Sequence, residues 1–441
     1  MVVGKLRRAL DGPVDLASLA VFRCLFGLLM TFSSLRFLAR GWVFTDWVKP
    51  RFFFSYLSFV RPLPGPGMYV VYVLLSVCAL LVAAGVLYRP AIGLFTVLFT
   101  YAHLCDVTNY LNHYYLVSLL ALLLCFLPLD REYSVRVWLR PDDRQCFVHA
   151  WALWLLRFQV AVVYVFGGLA KLGADWLLRG EPLHLWLVGD AHLPLLSHVA
   201  RARWLALAFG WAGMLFDLSV VPLLLWRRSR PWAYVVAVAF HLMTSVLFPV
   251  GMFPWIMSAA ATLFFSPAWP RRWGPRRLEP RGTIAMRCLG GWSYLVCAYA
   301  VVQVIVPLRH LAYPGNTLWT EEGFRWSWRV MLIDKVGALE LEVVDAAGHH
   351  VDVSPSDYLT PTQRLQVSTQ PDLILAFSHL VADDFSRRGR GPVRVYAHAD
   401  AAWNGRPPAP IVDPTVDLVP VHDGLASKHW ILPAPTTEPS W

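Results

Sequence analysis

Lysine is scarce in this chain, and one lysine stands where charge is costly. Of 39 basic residues, only Lys5, Lys49, Lys171, Lys335 and Lys428 are lysine, so arginine supplies most of the positive charge. Lys171 closes the apolar stretch Val163-Tyr-Val-Phe-Gly-Gly-Leu-Ala-Lys171 and is followed by Leu-Gly-Ala-Asp-Trp176. A desolvated lysine can give up its proton, whereas arginine in practice cannot. A neutral amine in an apolar pocket is a usable base. The same residue would also serve as a snorkelling lysine that marks a helix end. The sequence chemistry alone leaves both readings open.

Other ionisable groups lie within or beside apolar runs: Arg23, His103, Asp106, His113, Arg157, Asp217 and His241. Each costs roughly 2.5–3.5 kcal/mol to place in a membrane and is a functional candidate by default. Asp106-Val-Thr-Asn109 and Asn112-His113 sit at a junction between two runs. Asp217 lies deep in Met214-Leu-Phe-Asp-Leu-Ser219, and His241 lies mid-run in Phe240-His-Leu-Met-Thr-Ser245. Thr244 and Ser245 make the His241 face polar, which suits a cavity wall. Asp217 could pair with Arg157 as a structural interhelical contact, and Arg23 could snorkel or pair with Asp217. Gly167-Gly168 is weak as a site signal, because small residues also allow close helix packing. No Ser-His-Asp order, phosphate loop, HExxH or CxxC is present.

The elements that must carry these residues are membrane helices. Hydrophobic residues make up 57% of the chain and charged residues 15%, with a mean hydropathy of +0.48, unlike a soluble domain. Nine apolar runs of near-spanning length are visible, at roughly 16–38, 68–87, 90–108, 111–129, 150–171, 204–226, 232–249, 252–267 and 286–308. The third and eighth are short or imperfect. Arg23 breaks the first run, so a helix retained in the membrane is expected rather than a cleaved signal peptide. Basic residues concentrate in alternate connections: Lys5, Arg7 and Arg8; Arg131, Arg136, Arg140 and Arg144; Arg227, Arg228 and Arg230; Arg271, Arg272, Arg276, Arg277 and Arg281. The positive-inside bias then places the N-terminus in the cytoplasm and everything after residue 308 outside. The net charge of +10 reflects this topology, and no nucleic-acid partner is expected. The seven cysteines (Cys24, Cys78, Cys105, Cys125, Cys146, Cys288 and Cys297) show no zinc spacing and read as small apolar residues.

Hydropathy drops at Pro307-Leu-Arg-His310. Beyond it, Ala338–Val344 and His350–Ser354 alternate around Asp345-Ala-Ala-Gly348 as a hairpin, Thr360-Pro-Thr-Gln opens a helix, residues 371–385 have helical spacing, and Val393–His398 reads as a strand. The expected fold is an all-α polytopic membrane bundle of about nine transmembrane helices over residues 1–308. A small extracytoplasmic α/β domain follows over 309–433, and residues 434–441 read as a disordered tail.

Several stretches, in order, resemble the vitamin K-dependent γ-glutamyl carboxylase family and its bacterial homologues, which share the HTTM membrane domain. They are Val14–Arg23, Asp106–His113, Gly167–Trp176, Phe240–Phe253, Phe265–Arg271, Trp319-Thr-Glu-Glu-Gly-Phe-Arg-Trp-Ser-Trp328 and Asn404–Asp417. The likeness spans about residues 14–433. It implies an enzyme of the carbon–carbon lyase type that oxidises reduced vitamin K or menaquinol with O2 to the epoxide. The strong base so generated removes a γ-proton from glutamate, and the carbanion takes up CO2; no metal takes part. It further implies that Lys171 is the residue deprotonating the quinol, with His241, Asp106, His113, Trp319 and Asp217 around the quinone and substrate pocket. The implied partners are the lipid bilayer, an isoprenoid quinol and an exported Glu-containing protein or peptide, at the inner membrane of a bacterial cell. Two departures qualify the likeness. Asp130-Arg131 stands where vertebrate-type members have an Asn-His pair associated with the carbanion step. Longer members also carry a further C-terminal β-rich part, so propeptide recognition of the animal kind is not expected. Alternatives are a quinol epoxidase without carboxylation, a non-catalytic quinone or lipid binder and, more weakly, a transporter.

Overall fold

A computed structural model describes residues 8–189, 202–273, 290, 293–424 and 426–439. The expectations for Lys5, Arg7, Arg276, Arg277, Arg281, Cys288, the start of the ninth run and the last two residues lie outside them. Each of the nine apolar runs carries a helix: α1 Ala17–Ala39, α2 Gly67–Ala84, α3 Tyr88–Leu104, α4 Asn112–Cys125, α5 Ala150–Ala170, α6 Arg203–Leu225, α7 Arg230–Leu247, α8 Phe253–Ala261 and α9 Ser293–Leu308. Spanning needs about 20 apolar residues. Among the described residues five helices are long and apolar enough: α1, α2, α5, α6 and α9. The expected count of nine spans is not confirmed on length and composition, which qualify these five. α4 is an apolar helix of only 14 residues, and α3 and α7 carry arginine in their first turn. The molecule is a multi-pass membrane protein, with apolar residues such as Val73, Val77, Leu215, Val301 and Ile305 facing outward.

Helix spacing is set by small residues at a few crossings. A Cβ on Gly27 would stand 2.5 Å from the Ala83 backbone nitrogen, so α1 and α2 meet through that glycine. Gly85 ends α2 in the left-handed region at φ 68°, and a Cβ there would meet the Arg23 guanidinium. Arg23 is buried against the carbonyls of Leu129, Ala83 and Tyr133, so it ties turns together and does not pair with Asp217. Arg157 likewise donates to the carbonyls of Leu263 and Phe265, not to Asp217. Both arginines answer backbone oxygens that would otherwise be orphaned in an apolar interior.

One end of the bundle is ionic. Strand β1 (Pro13–Asp15) pairs antiparallel with β2 (Phe147–His149) just before α5. Arg271 donates to Asp15 and Glu132, Arg144 to Glu132, and Arg136 to Asp130 and Asp143. Two arginine-bearing connections and the N-terminal strand thus gather at the end where α5 begins. The 21 residues of α5 rise about 31 Å and deliver Lys171 to the opposite end.

The C-terminal domain covers that opposite end. Its sheet is antiparallel, in the order β4 (His350–Val353), β3 (Lys335–Val344), β5 (Arg394–Trp403), β6 (Ala409–Pro410). In β5 Val395, Ala397, Ala399, Ala401 and Trp403 are buried in alternation, as a half-buried strand requires. α10 (Pro361–Val367) opens with the Thr360/Gln363 capping box, and α11 (Pro371–Arg387) buries Leu373, Ile374, Phe377, Val381 and Phe385 against the sheet. The proline-rich stretch 406–410 ends as β6, paired with β5 at Asp400 and Ala401. Within the expected tail, Glu438 accepts from Arg179 and the Thr437 carbonyl from Arg406.

Candidate active site

Lys171 caps α5, and its Nζ lies 2.7 Å from Asp217 Oδ2 on α6 and 3.3 Å from the Gly167 carbonyl oxygen. The indole of Trp176 lies 5.5 Å from the ammonium. Gly167-Gly168 explains how two charged side chains meet inside an apolar bundle. A Cβ on Gly168 would stand 2.7 Å from Leu218 and 3.1 Å from Asp217 Cβ, and one on Gly167 would stand 3.5 Å from Asp217 Oδ2. Without side chains at these positions, α6 comes close enough to bring its carboxylate to the amine. Lys171 is thus paired, and its partner is Asp217.

The pair opens on a cavity of about 310 Å³ whose wall is otherwise almost wholly apolar. A second polar pair stands on the same wall. Tyr164, seven residues before Lys171 on α5, lies 2.8 Å through its Oη from His241 Nε2. His241 is only 2% exposed, and its Nδ1 is buried without a partner among the described residues. Phe216 and Phe240 stack at 4.1 Å beside this pair. The outer wall comes from the C-terminal side of the chain, through Val330 and Met331. There the backbone is unusual: Trp326, Trp328 and Met331 all have φ near +60°, a region that costs non-glycine residues about 1–2 kcal/mol each. Trp328 is fully buried within the bundle core and stacks on Tyr115 at 5.0 Å.

Lys171, Asp217 and His241 thus line one cavity, and the other three candidates stand apart from it. Asp106 caps the turn after α3, accepts from Thr108, and receives Gln363 Nε2 from α10. Burial pushes its carboxyl up to about 6 against these hydrogen bonds. His113 lies behind the cavity wall, where a Cβ on Gly251 would stand 3.2 Å from its ring. Trp319 is in the core of the C-terminal domain, its indole donating to the Leu432 carbonyl. Asp130, in the place of the vertebrate-type Asn, is buried in the ionic end and pairs with Arg136. Sequence reading missed Tyr164, Trp176 and Met331. Tyr164 was findable, since a spacing of seven residues puts it on the Lys171 face.

A polytopic helix bundle that holds an amine–carboxylate pair against an apolar cavity, beside a small α/β domain, defines a membrane-embedded protein with an apolar internal site. Two family models divide the chain between them. The HTTM domain matches residues 12–269, and the vitamin K-dependent gamma-carboxylase lumenal domain matches residues 291–437. The chain belongs to the vitamin K-dependent gamma-carboxylase family, as an HTTM-domain membrane protein. That membership implies an enzyme that uses reduced vitamin K, O2 and CO2. No solved structure matches the chain.

Proposed function

We propose that the protein couples oxidation of a membrane quinol by O2 to γ-carboxylation of glutamate in an exported protein or peptide. The observation that carries this reading is the Lys171–Asp217 pair opening on an apolar cavity. Its volume of about 310 Å³ suits a quinol ring, at the lower end of the ~300–1,000 Å³ range for small-molecule sites. The orphaned Nδ1 of His241 supports the fit, because a buried polar atom without a protein partner calls for one from a ligand.

When bound, the quinol and O2 supply the strong base that the γ-carbon requires. Lys171 and Asp217 act on the proton at one ring hydroxyl. Lys171 takes it up as the free amine, and Asp217 holds the resulting ammonium at 2.7 Å. Along α5, Tyr164 and Lys171 are seven residues apart, an axial rise of about 10 Å. That separation allows Tyr164–His241 to hold the far side of the ring while Lys171–Asp217 works on the near side. The apolar wall and the Trp328–Met331 segment exclude water, which would otherwise quench a carbanion. The arginine-rich end of the bundle is assigned to the cytoplasm, so the C-terminal domain faces the outside, where an exported substrate would arrive.

The test uses purified protein with reduced menaquinone or vitamin K, Glu-containing peptides and labelled CO2, aerobically and anaerobically. Oxygen-dependent epoxide together with labelled glutamate is expected; neither product with any quinol would sink the reading. One observation favours a second reading, quinol oxidation without carboxylation. The Asp130 carboxylate is committed to Arg136 at the ionic end, away from the cavity. Epoxide without labelled glutamate selects it.

A further inference from the structure

The turn after Lys171 lines a second cavity. Residues 169, 170 and 172–176 contribute to a cleft of about 450 Å³, together with Glu181, Asn316, Arg329, Trp403 and Arg406. Trp176 lines both this cleft and the Lys171 cavity. Several of the cleft's charges are answered within the protein. Asp175 accepts from Arg406, Arg179 and Asn404, and the same two arginines also hold the Thr437 carbonyl and Glu438. Three polar groups are left over. Glu181 is 2% exposed and Trp403 3%, yet Glu181 Oε2 and the Trp403 indole nitrogen have no partner among the described residues. Arg329 Nε is likewise buried and unpartnered, and burial alone holds its guanidinium below the ordinary range, with no acid opposing the shift. Burial also pushes the Glu181 carboxyl up to about 7; Asp175 and Asp334 add to the rise, while the Leu185 backbone and Arg203 oppose it. Buried polar groups without a counterpart are costly. One cleft thus presents an unanswered carboxylate and two unanswered donor groups, the complement of a zwitterion.

The cleft also meets the lipid-facing surface. Val165, Leu169 and Leu172 are exposed at intervals of four and three residues, which aligns them on one face at the end of α5. Leu169 and Leu172 belong to the cleft itself. Apolar chains lying along this stripe bring a head-group to the unanswered charges. We propose that the cleft binds the head-group of an aminophospholipid of the phosphatidylethanolamine type, with its phosphate on Arg329 and the Trp403 N–H and its primary ammonium on Glu181. A planar guanidinium gives phosphate paired hydrogen bonds. A primary ammonium carries three N–H donors, which a quaternary choline lacks, and an anionic lipid without an amine would leave Glu181 unanswered. The bound lipid joins the turn that follows Lys171 to the C-terminal segments that carry Arg329 and Trp403, and so braces regions far apart in sequence. Binding needs no quinol and stands apart from the chemistry assigned to the Lys171 cavity.

The experiment mixes purified full-length protein in detergent with equal amounts of dioleoyl phosphatidylethanolamine, phosphatidylcholine and phosphatidylglycerol, and reads bound lipid by native mass spectrometry. Phosphatidylethanolamine should be retained at least about fivefold over either competitor, the scale of one ion pair. Glu181→Gln should lose the preference over phosphatidylcholine yet still retain lipid through Arg329, and Arg329→Gln should lose both lipids. The position is read on the unmodified protein by carbodiimide coupling, which joins a carboxylate to a primary amine as an amide. The lipid amide should form on the peptide that contains Glu181, and free phosphoethanolamine at the same concentration should not block it. Equal retention of the three lipids, a preference that survives both substitutions, or coupling that spares Glu181 overturns the proposal. A block by free phosphoethanolamine also overturns it, by making the ligand a soluble zwitterion. Turnover enters none of these readouts, so failure of the quinol reading would leave the lipid result standing, and the reverse.

Discussion

At the scale of single residues, the Lys171–Asp217 contact constrains what substitutions can report. Lys171→Arg keeps the charge and the partner but cannot present a neutral amine. Quinol-dependent turnover should fall by roughly 10²–10⁴, the usual contribution of a general base, with little change in thermal stability; turnover near that of the unmodified protein would make the lysine an anchor. Tyr164→Phe keeps the ring and deletes the hydroxyl that faces His241 Nε2. The apparent KM for quinol should rise roughly five- to tenfold, as for loss of one buried hydrogen bond, while kcat changes less. The sequence displayed Lys171, Asp217 and His241 as costly groups in apolar runs, but not their pairing. Asp217 could have met Arg157, Arg23 or Lys171. The choice depends on how closely α5 and α6 approach at Gly167-Gly168, a distance that hydropathy does not encode.

Elements were more legible than the contacts between them. Apolar runs gave the helix positions, and alternation gave the β3–β4 hairpin. Length and composition qualify five of the nine runs as crossings, because a run such as α4 can be apolar and still be short. The cavity's outer wall stayed hidden because Trp326–Met331 follows no helical or strand period, and its left-handed residues are not glycines. The junction of α10 with the α3–α4 turn offers a test at this scale. Gln363 Nε2 donates both to Asp106 and to the Phe52 carbonyl. The Asp106 carboxyl is pushed up to about 6 by burial, above its unfolded value near 3.9. Between these values the folded protein binds more protons than the unfolded chain, so stability falls as pH rises through this window and levels off above it. The fall should amount to about 2–3 kcal/mol. Thermal melts from pH 4 to 7 should show it in the unmodified protein and a flatter profile in Asp106→Asn; parallel profiles would remove the carboxylate from the argument.

For the whole molecule, the two matched regions are not separable units. Trp328 belongs to the C-terminal match by sequence yet is buried in the core of the bundle, and Met331 lines the cavity that α5 and α6 enclose. Trp328→Ala should cost about 3–5 kcal/mol and lower the unfolding temperature of the bundle and the C-terminal domain together, read by differential scanning calorimetry in detergent. Two separated transitions, with only the second shifted, would show domains that fold independently. Quinol turnover in this variant should drop along with stability, because its wall segment admits water.

The position of Asp217 also bears on how the protein is made. Lys171 stands at the end of its helix and can reach the interfacial water during synthesis. Asp217 is the fifteenth residue of a 23-residue helix, too deep to do the same, and its counter-ion arrives in the helix translated before it. Biogenesis thus delivers the cation first and the anion second, and the later segment enters the lipid against a neighbour already able to neutralise it. Substitutions that erase the amine should therefore lower the yield of inserted protein before any assay of catalysis begins. Those that keep a cation there are the ones whose enzymology can be interpreted.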